Sequence, residues 1–299
     1  MTTATRTFGA VHRTRATSLR PPSRVDLALA GALFAVAAGL AIVSLLGPFL
    51  SDVIEYHVSE TLLNQTIGLD AISLLAVAPL SVVAGVLVLR AHIAGPALAL
   101  GIGAYTAYMF VQYIVGPEYL ARSGNNALLF PLYVVLFTLG WAVGIRAWKE
   151  LDCSPLPRSR LRERVVGEVV LPLLAFVAFF RYVPALADAM SAVPEDPGYR
   201  AGPTFFWAIA MMDLGVFLPL TAATCFGLVR GTAWAQRALY AVVGWFGLVG
   251  PAVAAMAITM YLRDDPNASG GNAVFMTVLG LAFALLAVVL YRPLFGSRS

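Results

Sequence analysis

Apolar residues dominate eight long stretches of the chain: about Asp26 to Leu50, Asp70 to Leu89, Ala94 to Val115, Ala127 to Ala147, Val165 to Leu186, Thr204 to Val229, Ala238 to Leu262 and Ala273 to Leu290. Each is close to the ~20 residues that carry a helix across the hydrocarbon core of a bilayer. The pattern predicts an all-α, polytopic transmembrane bundle of about eight spans. Between the spans lie helix breakers, with SDVIEYHVSETLLNQT, PEYLARSGNN, PEDPGYRAGP and RDDPNASGGN all falling on one side.

Composition agrees with that pattern. The 299 residues are 60% hydrophobic and 12% charged, with a mean hydropathy of +0.81, whereas a soluble domain carries roughly 25% charged residues. No segment outside the spans is long enough to bury a core of its own. Of the 20 Lys and Arg residues, Arg122, Arg181, Arg200 and Arg263 fall on the side of the four loops just named, and the other sixteen fall on the opposite side. Basic residues resist translocation, so the even span number places both termini in the cytoplasm of a cell (plasma) membrane protein.

The same count divides the chain into a basic cytoplasmic tail (1–24), a first half of four spans (25–149), a basic cytoplasmic linker (150–164), a second half of four spans (165–292) and a short cytoplasmic tail (293–299). The acid-free amino-terminal tail also has the look of an organelle transit peptide. The alternative is a tail held at anionic lipid by its arginines. A net charge of +4 without aromatic interleaving argues against nucleic acid as a partner. The expected partners are the lipid bilayer and anionic headgroups at the cytoplasmic face, and a homo-oligomer is compatible with the pattern.

The two halves share a spacing. Pro79-Leu80-Ser81 begins eleven residues before Arg90, and Pro219-Leu220-Thr221 begins eleven residues before Arg230. An acid precedes each proline, Asp70 by nine residues and Asp213 by six. A duplication of four spans would preserve orientation and relate the halves by an axis along the membrane normal.

The stretches Gly68-Leu69-Asp70 with Pro79-Leu80, the run from YTAYMFVQYIVG to NNALLFPLYVVLF, and Met212-Asp213-Leu214-Gly215 with Pro219 resemble an uncharacterised family of multi-pass bacterial integral membrane proteins. The resemblance implies the architecture and nothing about the chemistry.

An acid within a span is costly and marks a candidate site. Asp213 lies about 25 Å from Arg230 at the helical rise, well inside its span. Pro219 lacks the N–H that would bond the Gly215 carbonyl, so the sequence predicts a kink and a freed acceptor beside the acid. Pro79 predicts a second kink. Pairing of Asp213 with Arg181 or with a tyrosine hydroxyl, to fix packing, is the structural alternative.

Asp70 falls at the predicted start of its span, where helix capping is the simpler role. If the halves are equivalent, Asp70 and Asp213 share an outward-facing acidic vestibule. Tyr105, Tyr108 and Gln112 recur on one helical face as a candidate pocket lining, with interfacial anchoring as the alternative. Arg164 and Glu168 have the spacing of a helical ion pair. Glu55, His57 and Glu60 make a weak metal-ligand set beside the simpler reading of a solvated loop.

No phosphate loop, HExxH, GxSxG or His and Cys pair is present, and no cofactor motif. Three functions stay open at this point: a small-solute or ion transporter with an acidic outward cavity, a non-transporting assembly or sensor module, and an intramembrane enzyme.

Overall fold

The computed structural model describes residues 23–152 and 164–296. Most of the basic tail and most of the linker between the halves, including Cys153, lie outside the described residues. Among the described residues eight helices are long and apolar enough to span a membrane: α1 (Arg24–Leu46), α2 (Glu60–Leu89), α3 (Ala94–Val115), α4 (Asn126–Glu150), α5 (Val165–Ala189), α6 (Pro203–Val229), α7 (Ala233–Leu262) and α8 (Gly270–Phe295). Large apolar side chains such as Leu75, Trp141, Phe176, Phe226 and Leu285 stand exposed on the outside of this bundle. Such a surface is stable only against lipid, and the chain is a multi-pass integral membrane protein.

Local signals set most helix ends. Ser23 caps α1 through a capping box with Asp26, and Gly47-Pro48 ends that helix before the predicted Leu50. The largest departure from expectation is α2, which starts at Glu60, capped by the Ser59 hydroxyl, ten residues before the predicted start at Asp70. Asp70 is therefore no helix cap. It sits mid-helix and is 1% exposed.

The polar first turns of α2 are held from across the molecule. Asp265, in the loop between α7 and α8, accepts hydrogen bonds from Thr61 Oγ1 (3.2 Å) and Asn64 Nδ2 (2.9 Å), and Asn267 Nδ2 donates to Thr61 Oγ1 (2.9 Å). At the same end, the segment around Glu55 and His57 pairs with the loop before α4. Asn125 N donates to the Glu55 carbonyl (2.9 Å) and Glu118 N to that of His57 (2.7 Å). Ile54 and Tyr56 turn inward and are buried. Glu55 and His57 are thus tied to asparagines in loop packing, and among the described residues no cluster of metal-ligating side chains forms. Nor do Arg164 and Glu168 pair; the ion pairs among the described residues are Glu118–Arg122 and Arg146–Glu150.

The prolines do more than kink. In α2 the backbone ladder widens to i→i+5 over Ser73–Val77, in α6 over Asp213–Phe217, and in α5 over Val165–Val170. In each case the α-helix then resumes with a proline as its second residue: Pro79, Pro219 and Pro172. The missing proline donor is absorbed by inserting a residue into the preceding turn. The disturbance in α6 therefore spreads over Asp213 itself rather than resting on the Gly215 carbonyl. Gly215 lies on the exposed side of its helix, where an added Cβ would meet nothing within 4 Å.

The same local structure recurs 140 residues on, from Ser73 to Asp213, Pro79 to Pro219 and Ala91 to Gly231. Ser81 Oγ bonds the Val77 carbonyl (2.8 Å) as Thr221 Oγ1 bonds that of Phe217 (2.7 Å). After Arg90 and Arg230 the chain turns through left-handed residues, Ala91 (φ 52°) and Gly231 (φ 68°), with matching bonds from His92 N to Leu87 and from Thr232 N to Gly227, both 2.9 Å. In this register the counterpart of Asp213 is Ser73, three residues beyond Asp70.

Neighbour relations also match. α3 packs on α4 as α7 packs on α8, and α1 lies along α2 as α5 lies along α6. α3 and α7 cross where Gly101 and Gly244 meet; a Cβ on Gly101 would stand 2.7 Å from the Gly244 Cα. One pair of contacts differs. α2 lies tightly along α7, so that a Cβ on Gly68 would stand 2.5 Å from the Ala255 backbone. The corresponding pair, α6 and α3, is looser. It meets at Phe205 beside Gly116 and at Asp213 beside Tyr108.

Candidate functional site

A cavity of about 610 Å³ fills the space beside that loose contact. It opens at the arginine-poor end of the bundle, among exposed Pro197, Asn267 and Ser269, and reaches inward to Asp213. Six helices wall it: α2, α3, α5, α6, α7 and α8. Helix α5 is broken at Arg181 into two pieces, Leu171–Phe180 and Tyr182–Ala189. The inner piece touches α8, the outer piece makes no comparable contact, and the cavity reaches both Ala185 on that outer piece and Phe275 on α8.

At the inner end of the cavity Asp213 is 7% exposed. Both carboxylate oxygens accept from tyrosines: Oδ1 from Tyr108 of α3 (2.7 Å) and Oδ2 from Tyr182 of α5 (2.6 Å). The i→i+5 turn that begins at Asp213 offsets its side chain from the regular helical register, and the two hydroxyls come from separate helices.

Arg181 does not pair with the acid. Its Nε donates to the Ala178 carbonyl (3.2 Å), its guanidinium lies 5.0 Å from the Tyr182 ring centre, and it is exposed at the cavity edge. Of the two alternatives open from the sequence, the tyrosine hydroxyl is the one realised.

Around the carboxylate the wall is aromatic. Trp245 stacks on Phe217 at 3.5 Å, and Tyr108 meets both edge-on at 5.3 Å. Phe246 stacks on Phe283 at 4.3 Å, and both line the cavity. The Trp245 indole N–H is buried without an acceptor. Gln112 also faces the cavity, and its amide makes only a long 3.8 Å contact to the Met109 sulfur. Asp213, Tyr108, Gln112 and Arg181 thus share one cavity.

Asp70 and Tyr105 do not line it. Tyr105 turns to α2, where its hydroxyl bonds that of Ser73 (2.9 Å). The first residues of the i→i+5 turns in α2 and α6, Ser73 and Asp213, are therefore each met by a tyrosine of α3. Asp70 is closed off in the first half, where its Oδ1 accepts from Tyr113 (2.5 Å). A single vestibule holding both acids is not formed.

Sequence reasoning missed the bonding role of Tyr182 and the aromatic wall of Trp245 and Phe246. In a chain this apolar, an aromatic residue inside a span carries no contrast against its neighbours. The only available signal was that Tyr182 shares with Asp213 the arginine-poor end of the bundle.

No family model, no curated protein and no solved structure matches this chain.

Proposed function

We propose that the protein is a small-solute transporter that takes up an organic cation with an apolar body through this cavity. The observation that carries the reading is the buried Asp213 carboxylate, in no ion pair among the described residues, at the closed end of a cavity walled by aromatic rings with Arg181 at its edge. A buried carboxylate without a partner cation is costly, and aromatic faces attract cations. An organic cation satisfies both. The positive-inside asymmetry supports an outward-facing cavity with both termini in the cytoplasm. The loose contact between α6 and α3, and the i→i+5 turn at Asp213, supply the discontinuous helix on which many transporters build a mid-membrane site.

The two tyrosine bonds to Asp213 favour a second reading, a non-transporting module in which the acid only joins α3, α5 and α6. The readings separate experimentally. Tetraphenylphosphonium serves as the probe for equilibrium binding in detergent and for uptake into proteoliposomes. Wild type is expected to bind it saturably, and Asp213→Asn to bind at least tenfold more weakly while melting within a few degrees of wild type. Equal binding by the two proteins would remove the cation reading. A variant that fails to fold, together with Tyr182→Phe that fails equally, would favour the packing module.

A further inference from the structure

We propose that Asp70 is the centre of a second, occluded site for a small monovalent cation, separate from the Asp213 cavity. The carboxylate is 1% exposed, and only one of its oxygens is used, by Tyr113. The other, Oδ2, is buried and makes no hydrogen bond; the buried hydroxyls of Tyr56 and Tyr133 make none of acceptable geometry either. Buried polar atoms are nearly always satisfied, and a buried carboxylate oxygen without a hydrogen bond, beside the Tyr56 and Tyr133 hydroxyls, indicates a missing partner.

Their arrangement says what the partner is. At Gly47, just past the end of α1, the position a Cβ would take is 3.0 Å from the Val43 carbonyl oxygen, 3.1 Å from Asp70 Oδ2 and 3.1 Å from the Tyr56 hydroxyl. Three oxygens from three segments of chain thus crowd one point beside Gly47, the Val43 carbonyl also accepting from the Gly47 N–H (2.9 Å). The ring of Tyr133, whose hydroxyl is buried, packs on that of Tyr113, the residue bonded to Asp70. The Val43 carbonyl belongs to the last turn of α1, the electronegative end of the helix. A carboxylate placed there is disfavoured unless a positive charge accompanies it.

No basic side chain among the described residues supplies that charge: neither ion pair involves Asp70. One carboxylate among neutral oxygens matches a single positive charge, and a divalent ion would leave one charge unbalanced in a closed site. Water would satisfy the hydroxyls without neutralising the acid. The rings of Tyr56, Tyr113 and Tyr133 contact one another, with centres 5.5–5.6 Å apart along the chain of contacts, and all three are buried with the carboxylate.

The test uses purified full-length protein in detergent, in choline chloride replaced stepwise by sodium or potassium chloride at constant ionic strength. The expected result is a saturable rise of a few degrees in melting temperature with one of the two ions. Asp70→Asn should abolish the response and melt in choline no lower than wild type, because an uncompensated charge has been removed. Tyr56→Phe and Tyr133→Phe keep the charge but delete an oxygen, and should raise the ion concentration at mid-response several-fold.

Asp213→Asn should leave the ion response in place, which separates this site from the organic-cation cavity. A wild type indifferent to both ions means a proton or water satisfies Asp70, and overturns the proposal. So does an ion response that Asp70→Asn retains. If Asp70→Asn does not fold, the two phenylalanine variants decide, and unchanged midpoints in both overturn it.

Discussion

At the scale of single residues, the two buried span carboxylates Asp70 and Asp213 are bonded by tyrosines. A hydroxyl bond to a charged acceptor is worth about 1.5–3 kcal/mol, and Asp213 has two. Tyr108→Phe and Tyr182→Phe should each lower stability by about that amount, read as a fall in melting temperature, with Tyr108→Phe affecting α3 as well as α6. Gln112→Cys, made with Cys225 replaced, should react with a membrane-impermeant thiol reagent and be protected by tetraphenylphosphonium. Gly215→Cys should not react, because Gly215 is turned away from the cavity. Asp213 was legible in the sequence because a charge inside a span stands out against apolar neighbours. Tyr56 was not: in EYHVSE the eye goes to the acids and the histidine, while the inward position is the tyrosine between them.

At the scale of helices, close approach is set by glycine. Gly101 and Gly244 let α3 and α7 cross, and a Cβ on Gly103 would stand 2.7 Å from the Gly140 carbonyl of α4. Gly101→Leu should destabilise by a few kcal/mol through backbone displacement at the crossing. Gly31→Ala and Gly144→Ala, where an added Cβ meets nothing within 4 Å, should be neutral or gain about 0.5–1 kcal/mol from helix propensity. Parallel melts in detergent check both.

Spans were readable from the sequence because the bilayer demands ~20 apolar residues. The true start of α2 was not readable, since ETLLNQT is polar and looks like a loop. Its polarity is satisfied by the Asp265 and Asn267 cluster contributed some 200 residues away, and no local pattern reveals that. The i→i+5 turns were half legible: the prolines announced a disturbance, while its spread upstream onto Asp213 depends on how the ladder repairs itself.

At the scale of the whole molecule, the arginine asymmetry predicts that reporter fusions after Ser51, Asn125, Pro197 and Asn267 report the outside, and fusions after Arg90 and Arg237 the inside. A consistent inversion would turn the cavity toward the cytoplasm and reverse the direction of the proposed uptake. The repeated spacing of proline and arginine pointed to related halves, and the local structure repeats in the register that pairs Asp213 with Ser73. That register explains why the two acids do different things, one at the end of an open cavity and the other sealed.

Helix α3 joins these two environments. Its Tyr113 bonds Asp70, its Tyr105 bonds Ser73 and its Tyr108 bonds Asp213, so one stiff rod carries a hydroxyl to each acid. A shift of that rod cannot improve the geometry at one carboxylate without altering it at the other. For the two cation sites proposed above the consequence is thermodynamic linkage: whatever factor an ion at Asp70 applies to the affinity for the organic cation, the organic cation must apply to the ion. Measuring the ion midpoint with and without saturating tetraphenylphosphonium, and the probe affinity with and without saturating ion, should give the same factor twice. Tyr113→Phe should move that factor toward one while leaving every side chain of the cavity in place.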